Sequence, residues 1–433
     1  MQTPRAVELC EGYRFRKPMR FVFTCLAVLI GFTSTVAAPL DEAREHAEQG
    51  VQFARAGNLS HAEAELRQAV QLSPNDPSYL TSLGGILGME QKLTEANVYF
   101  EKAVAIDPEN APARRNLAAN QWRLGQFKQA QANLEHLLRE HPEDKIATLL
   151  LGMVSENEHD YARSAKLLAA VPELVEQRPE SVAALASAYY HTGRRQEAHR
   201  LLEGLQQQQS ASPQGIVAAA GVAVRAQDYE VAEKLFGSVR SSFNTSRAQA
   251  EVYNLLGTVE MKMNQFTDAI RSYGRAVELD SKSVDAQVGL ASAKWAAGMR
   301  SEAEAQFQDL LKQHPRDAAV YESYGTSLLD SATDNSMLSH AGVLLQKAVQ
   351  LDSSRPEPHY QLGLLELKKN AADVSSDSLR QALIQLQTAV RLGLNENRVH
   401  YALARVYRRL GREDEAAKEM QVYQQESGAT QGK

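Results

Sequence analysis

One nine-residue phrase, FEKAVAIDP at 100–108, returns in altered copies: LRQAVQLSP at 66–74, YGRAVELDS at 273–281, LQKAVQLDS at 345–353 and LQTAVRLGL at 386–394. The spacing is regular. Ala69 to Ala103 and Gly50 to Gly84 are each 34 residues, and Gly152 lies 68 beyond Gly84. A chain that repeats itself at this period grows by stacking one small element of structure, so its 433 residues need not divide into conventional domains. The phase holds from 43 to 246, with repeats opening at 43, 77, 111, 145, 179 and 213. It resumes at 250, 284 and 318 and, after insertions of about four and seven residues, at 356 and 397. Eleven repeats account for residues 43 to 430.

Each repeat holds two apolar sets at helical spacing. In the second, Leu80, Leu83, Gly84 and Leu87 share one helical face, and Ala96, Phe100 and Ala103 share another. Small residues at repeat positions 8, 20 and 27 let two helices approach closely. Pro74, Pro108, Pro142 and Pro315 fall where the second helix must stop, because proline donates no helical hydrogen bond and restricts its predecessor. Asp76-Pro77 reads as an N-cap followed by proline in the first turn. One such pair cannot bury its own apolar face, so its neighbours must.

This pattern, best seen in Leu83-Gly84, Ala96, Phe100, Ala103 and Pro108, resembles the tetratricopeptide repeat. The resemblance implies an all-α, right-handed α-solenoid of about eleven 34-residue helix-turn-helix repeats, with a concave inner surface that binds protein or peptide partners. The fourth and sixth copies depart from it, with Ser164 in place of Ala and with Glu176 and Asn244 in place of Pro.

The N-terminus reads differently. Arg14, Arg16, Lys17 and Arg20 precede FVFTCLAVLIGF, and TSTVAA follows with Val36 and Ala38 at signal-peptidase spacing. Residues 1–38 are therefore expected to be a signal peptide cut after Ala38; a retained membrane anchor is the alternative, since residues 21 to 40 carry no charge. The expected organisation is 43–212 for repeats one to five, 213–430 for repeats six to eleven, and a tail at 431–433. The polar stretches at 206–215, 330–337 and 368–378 read as loop growth, with a hinge and docking loops as the sharper alternative. Cys10 and Cys25 both lie in the leader, so the remaining chain has no thiol for catalysis, disulfides or metal. Losing the leader takes the formal charge from -6 to -9. No basic excess is left to hold a nucleic-acid backbone.

Motifs that carry chemistry are missing from the sequence. The eleven histidines are scattered, with no HExxH or comparable ligand spacing, and neither a phosphate-binding P-loop nor a Gly-x-Ser-x-Gly elbow occurs. No catalytic residues, metal or cofactor are assigned, and the expectation is a non-enzymatic scaffold.

What remains is a surface. Positions 2, 5, 9 and 12 of each first helix form the stripe that lines the inner face in proteins resembling this family. Arg115, Trp122, Leu149 and Met153 lie on it in the third and fourth repeats, and Trp295 in the eighth. These are expected to anchor an extended or helical peptide, unless they pack against the next repeat. Arg398, Tyr401, Arg405 and Arg408 make the same stripe basic and aromatic in the last repeat, suited to a carboxylate-bearing tail or an acidic glycan. The Lys and Asn set of family members that clamp acidic C-terminal tails is not matched: Ala47, Val51, Thr81, Gly85, Arg115 and Ala119 stand at those positions. The partner is expected to be a protein or peptide, with a component of bacterial envelope machinery or an acidic glycan in view. Membrane contact is expected only if the leader is retained, and the place is the periplasm or the exterior.

Overall fold

A computed structural model describes residues 37–205, 211–369, 376–394 and 396–431. The expected signal peptide, apart from its last two residues, and the centres of the polar stretches at 206–210 and 370–375 lie outside the described residues. The chain forms two compact units, one ending at Ala188 and one beginning at Tyr189. All described regular structure is helical.

The first unit holds α1 (Ala37–Arg55) with α2 (Leu59–Leu72), α3 (Pro77–Met89) with α4 (Leu93–Ile106), α5 (Ala111–Arg123) with α6 (Phe127–Glu140), and α7 (Lys145–Asn157) with α8 (Tyr161–Ala169). A one-turn helix, α9 (Pro172–Val175), precedes α10 (Pro179–His191), within which the units divide. The second unit continues with α11 (Arg195–Gly204), α12 (Pro213–Arg225), α13 (Tyr229–Val239), α14 (Ser246–Lys262), α15 (Phe266–Leu279), α16 (Val284–Ala296) and α17 (Arg300–Gln313). It closes with α18 (Ala318–Ser331), α19 (Asn335–Leu351), α20 (Pro356–Lys369), α21 (Ser376–Arg391), α22 (Asn397–Arg409) and α23 (Glu413–Gln431). Nine of the eleven repeats open their first helix at the residue the period predicts. Within each unit successive pairs pack on one another, so that each unit is an α-solenoid. The segment 330–337 is mostly helix, lengthening α19 at its start.

Local chemistry explains the phase. The Asp76 carboxylate accepts from the Ser78 and Tyr79 N–H groups at 2.8 and 3.2 Å, and Pro77 opens α3 where its missing N–H costs nothing. Asn110, Asp144, Ser212, Thr245, Ser283 and Asp317 cap later first helices in the same way. Between the two helices of a repeat the chain reverses through one left-handed residue. Gly57, Gly125, Gly193, Gly298 and Gly411 hold this position in five repeats, and Gln91, His159, Gln227 and Asn264 in four, with φ between 55° and 85°. The four that are not glycine accept the cost of a Cβ in that conformation.

The two helices meet most closely at position 8. A Cβ on Gly84 would stand 2.7 Å from the Phe100 ring, and Gly152 is equally tight on Leu168. Gly50 on Leu66, Gly257 on Tyr273, Gly325 on Leu345 and Gly363 on Leu386 repeat the contact at positions 8 and 24. Fully buried alanines take the place of glycine at 118, 186, 220, 291 and 404. Gly85, one residue along α3, meets nothing within 4 Å. Gly84→Val is therefore expected to destabilise the first unit by ~1–3 kcal/mol through overpacking, and Gly85→Ala to stabilise it by ~0.5–1 kcal/mol, read as opposite shifts of the denaturation midpoint.

One buried polar group has a stability consequence. Glu260 on α14 is 6% exposed and one of its carboxylate oxygens has no hydrogen-bond partner. Burial pushes its carboxyl up to about 7, against the pull of a hydrogen bond from Ser272, and Asp268 and Glu233 add to the rise. The folded state thus holds this proton more tightly than the unfolded chain, whose ordinary value is 4.5. The associated stability is full below that value and is lost as pH climbs towards 7, a change of at most ~3 kcal/mol. Glu260→Gln should remove this fall, gaining stability at pH 8 but little at pH 4.5, as denaturant melts at the two pH values would register.

Candidate partner-binding surface

The structure sorts the stripe residues by what surrounds them. In the first unit, Leu149 and Met153 on α7 are 2% and 7% exposed, and Met153 receives the Ser181 hydroxyl on its sulfur at 3.6 Å. They are core side chains, because α10 lies over them. Arg115 on α5 donates from Nε to Asp144 Oδ2 at 3.0 Å, with a second bond from Nη2 to the same oxygen. Asp144 also caps α7 through the Ala147 N–H, so Arg115 is engaged in the joint between two repeats. Trp122 is half-buried against a core cluster that includes Ala118 and Leu134, and its indole N–H is buried without an acceptor.

In the second unit, Trp295 on α16 packs against the next repeat, the alternative to an exposed anchor. It is 8% exposed, donates its indole N–H to Ser331 Oγ at 2.9 Å, and sets its ring edge-on to Tyr324 at 6.0 Å. Its hydrogen bond and packing are both satisfied within the core, leaving little surface for a ligand. Tryptophan in the sequence signalled bulk, and the next repeat took that bulk.

The last repeat behaves otherwise. Arg398 on α22 makes a two-pronged bond to Glu357 of α20, at 3.0 and 2.7 Å, and donates Nε to Glu396 at 2.7 Å. Its guanidinium lies 4.6 Å over the Tyr360 ring. Burial works against the charge, but the two carboxylates outweigh it and hold the Arg398 guanidinium above its ordinary value. Tyr401 is 44% exposed, its ring 5.3 Å from that of Tyr423 on α23 and 5.9 Å from the Arg405 guanidinium. Arg405 is half-buried and Arg408 exposed, and neither is in an ion pair among the described residues. Tyr401, Arg405 and Arg408 are thus the candidate residues left open to a partner.

The sequence reading missed the acid half of this surface. Glu357 and Tyr360 hold positions 2 and 5 of the tenth repeat, the same places that Arg398 and Tyr401 hold in the eleventh. The repeat starts at 356 and 397 already put them in that register, but their pairing across repeats is a tertiary contact that spacing does not report. Glu322 and Arg355, joined at 2.6 Å, continue the ladder of inter-repeat ion pairs, with burial pushing the Glu322 carboxyl up against the pull of Arg355. Among the described residues no His, Cys, Asp and Glu group has metal-site geometry, and no helix is long and apolar enough to cross a membrane.

Comparison with known proteins bears on the fold. Sequence models of the tetratricopeptide repeat match residues 89–153, 260–324 and 360–429. A stretch of 105 residues, 24% of the chain, is 30% identical to the TPR repeat-containing thioredoxin TTL4 of Arabidopsis thaliana. Another of 125 residues, 26% of the chain, is 32% identical to cellulose synthase operon protein C of Komagataeibacter xylinus. The chain spans 15% of the first of these relatives and 10% of the second. Among solved structures, yeast Tom70 aligns over 89% of this chain and 92% of its own at 15% identity, with a TM-score of 0.45. The chain thus carries tetratricopeptide repeats in both compact units, among eleven helix pairs of which nine open in its phase.

Proposed function

We propose that the chain is an exported, non-catalytic scaffold that holds a protein partner through the open basic and aromatic face of its last repeat. The observation that carries this reading is the contrast between Arg398, whose charge Glu357 and Glu396 satisfy, and Arg405 and Arg408, which stand open beside the exposed ring of Tyr401. Arginine and tyrosine are the side chains that most often dominate binding energy, and guanidinium groups pair with carboxylates in a fixed geometry. The partner segment is therefore acidic. The signal-like pattern of residues 1–38 supports a place in a bacterial cell envelope, as assembly or adaptor factor. A second reading makes the ligand a polysaccharide or peptidoglycan, with the chain an accessory of an export machine. The short stretch shared with proteins named for a cellulose synthase operon supports it.

Two measurements test the proposal. Protein recovered from the envelope of its native cells should begin at Pro39; recovery from the cytoplasm with residues 1–38 intact would refute export. Crosslinking from position 401 in those cells should capture a defined protein. Arg405→Glu with Arg408→Glu should weaken that capture by ~tenfold or more, as should raising the salt to about 1 M, where the screening length is ~3 Å. Equal capture by both forms of the chain would defeat the surface, and capture of glycan alone would favour the second reading.

A further inference from the structure

Position in the array explains why Tyr401 is open. At position 5 of earlier repeats Thr81, Leu149, Ala183, Val288 and Tyr360 are under 9% exposed, and the remaining counterparts, Arg115 and Glu322 among them, are buried or half-buried. Tyr423 stands at position 27, where Ala69, Ala103, Ala276, Ala348 and Ala389 are fully buried under a following helix. In the last repeat Tyr423 is only half-buried. The face made by α22 and α23 is thus the face that elsewhere in the chain receives another repeat.

The first repeat shows the complementary face. Position 3 is fully buried at Ala113, Ala147, Ser181, Ala286, Val320 and Val399, where each first helix docks onto the repeat before it. In α1 that position is Glu45, which is exposed, and the neighbouring docking positions carry Asp41, Glu42, Glu48 and Gln52, exposed as well. Arg44 is the one cation among them, 3.3 Å from Asp41 and 4.0 Å from Glu48. Position 3 is uncharged in every later repeat and acidic here, the place just before each repeat begins is polar throughout, and the receiving face at the other end is basic.

We propose that the partner of the last repeat is a second copy of this chain: Tyr401, Arg405 and Arg408 on α22 receive Glu42, Glu45 and Glu48 on α1, head to tail, in the register by which one repeat receives the next. The inference rests on the reading of the last repeat as a binding surface and names its occupant. Ion pairs already join repeats inside the chain at the same places. Arg115 at position 5 meets Asp144, the residue just before the next repeat begins, and Glu322 at position 5 meets Arg355, the residue just before its successor. Glu42 occupies that place in front of the first repeat. The contact therefore continues an interface the chain builds repeatedly, with opposite charges on its two sides. Such an interface joins two different surfaces and leaves one of each free, so it adds copies in series.

Sedimentation velocity of the purified full-length chain tests it. The average mass should rise with concentration at low salt and fall to that of a monomer near 1 M salt, where charges are screened within ~3 Å. Arg405→Glu with Arg408→Glu, and separately Glu42→Arg with Glu45→Arg, should each weaken association by ~tenfold or more while circular dichroism shows an unchanged helix content. Mixing the two charge-reversed forms should restore a complex, because their altered faces are again complementary. A wild-type chain that is monomeric at every concentration, or oligomers that survive both reversals, would overturn the proposal. If a monomeric chain still captures another protein in a manner that depends on Arg405 and Arg408, the homotypic partner is wrong and the binding surface stands. If capture is indifferent to them, both fall.

Discussion

The contact between positions 8 and 24 sets the distance at which every pair of helices in this chain can stand. Gly84 lies on the face of Phe100 and Gly152 on Leu168, and the alanines at 118, 186, 220, 291 and 404 serve the other repeats with one more carbon. A larger side chain there would force the second helix away and open the seam along its whole length, since interiors this dense do not absorb extra atoms locally. Tyr273 shows how far the principle extends. It is held between Gly257 of its own repeat and Gly289 of the next, so one ring fixes both the spacing within a repeat and the spacing between two.

Around that contact the polar groups follow the same period. Position 4 of the first helix faces position 23 of the second, and the pair is bridged in repeat after repeat. His46 meets Glu65 at 2.6 Å, Arg114 meets Asn133 at 3.1 Å, His359 meets Gln385 at 2.7 Å and His400 meets Glu419 at 2.6 Å. Three of the eleven histidines that look scattered along the sequence, His46, His359 and His400, are thus clasps between the two helices of a repeat. The insertion before α21 alters their separation in sequence without altering the contact, which shows that the seam, and not the count of residues, is what the packing preserves.

How much of this was legible follows from the kind of signal each feature leaves. Caps and breakers act within three or four residues, so Asp76-Pro77 and its successors could be read directly, and the starts of nine first helices fell where the period put them. The left-handed turn was legible where it is glycine, as at Gly57 and Gly125, and hidden at Gln91 and Gln227, whose sequence carries no sign of a positive φ. Side-chain fate was the least legible. Trp122 and Trp295 share one repeat position, yet the first is half-buried with its N–H unpartnered while the second closes on Ser331. The difference lies in residues 36 positions away, which no pattern local to the tryptophan could report.

The arginines make the same point for charge. Arg115, Arg355 and Arg398 stand near the start of first helices and each is consumed by an acid one repeat away. Their carboxylate partners are half-buried, so removing either member would leave a poorly solvated charge; these pairs specify which repeat sits against which more than they add stability. Arg405 and Arg408 have the same chemistry on the same stripe but no described repeat beyond them to supply the acid. What distinguishes a structural arginine from one available to a partner in this fold is therefore its place in the stack. The residue type sets the chemistry of recognition, and the register decides whether that chemistry is spent inside the chain or offered outside it.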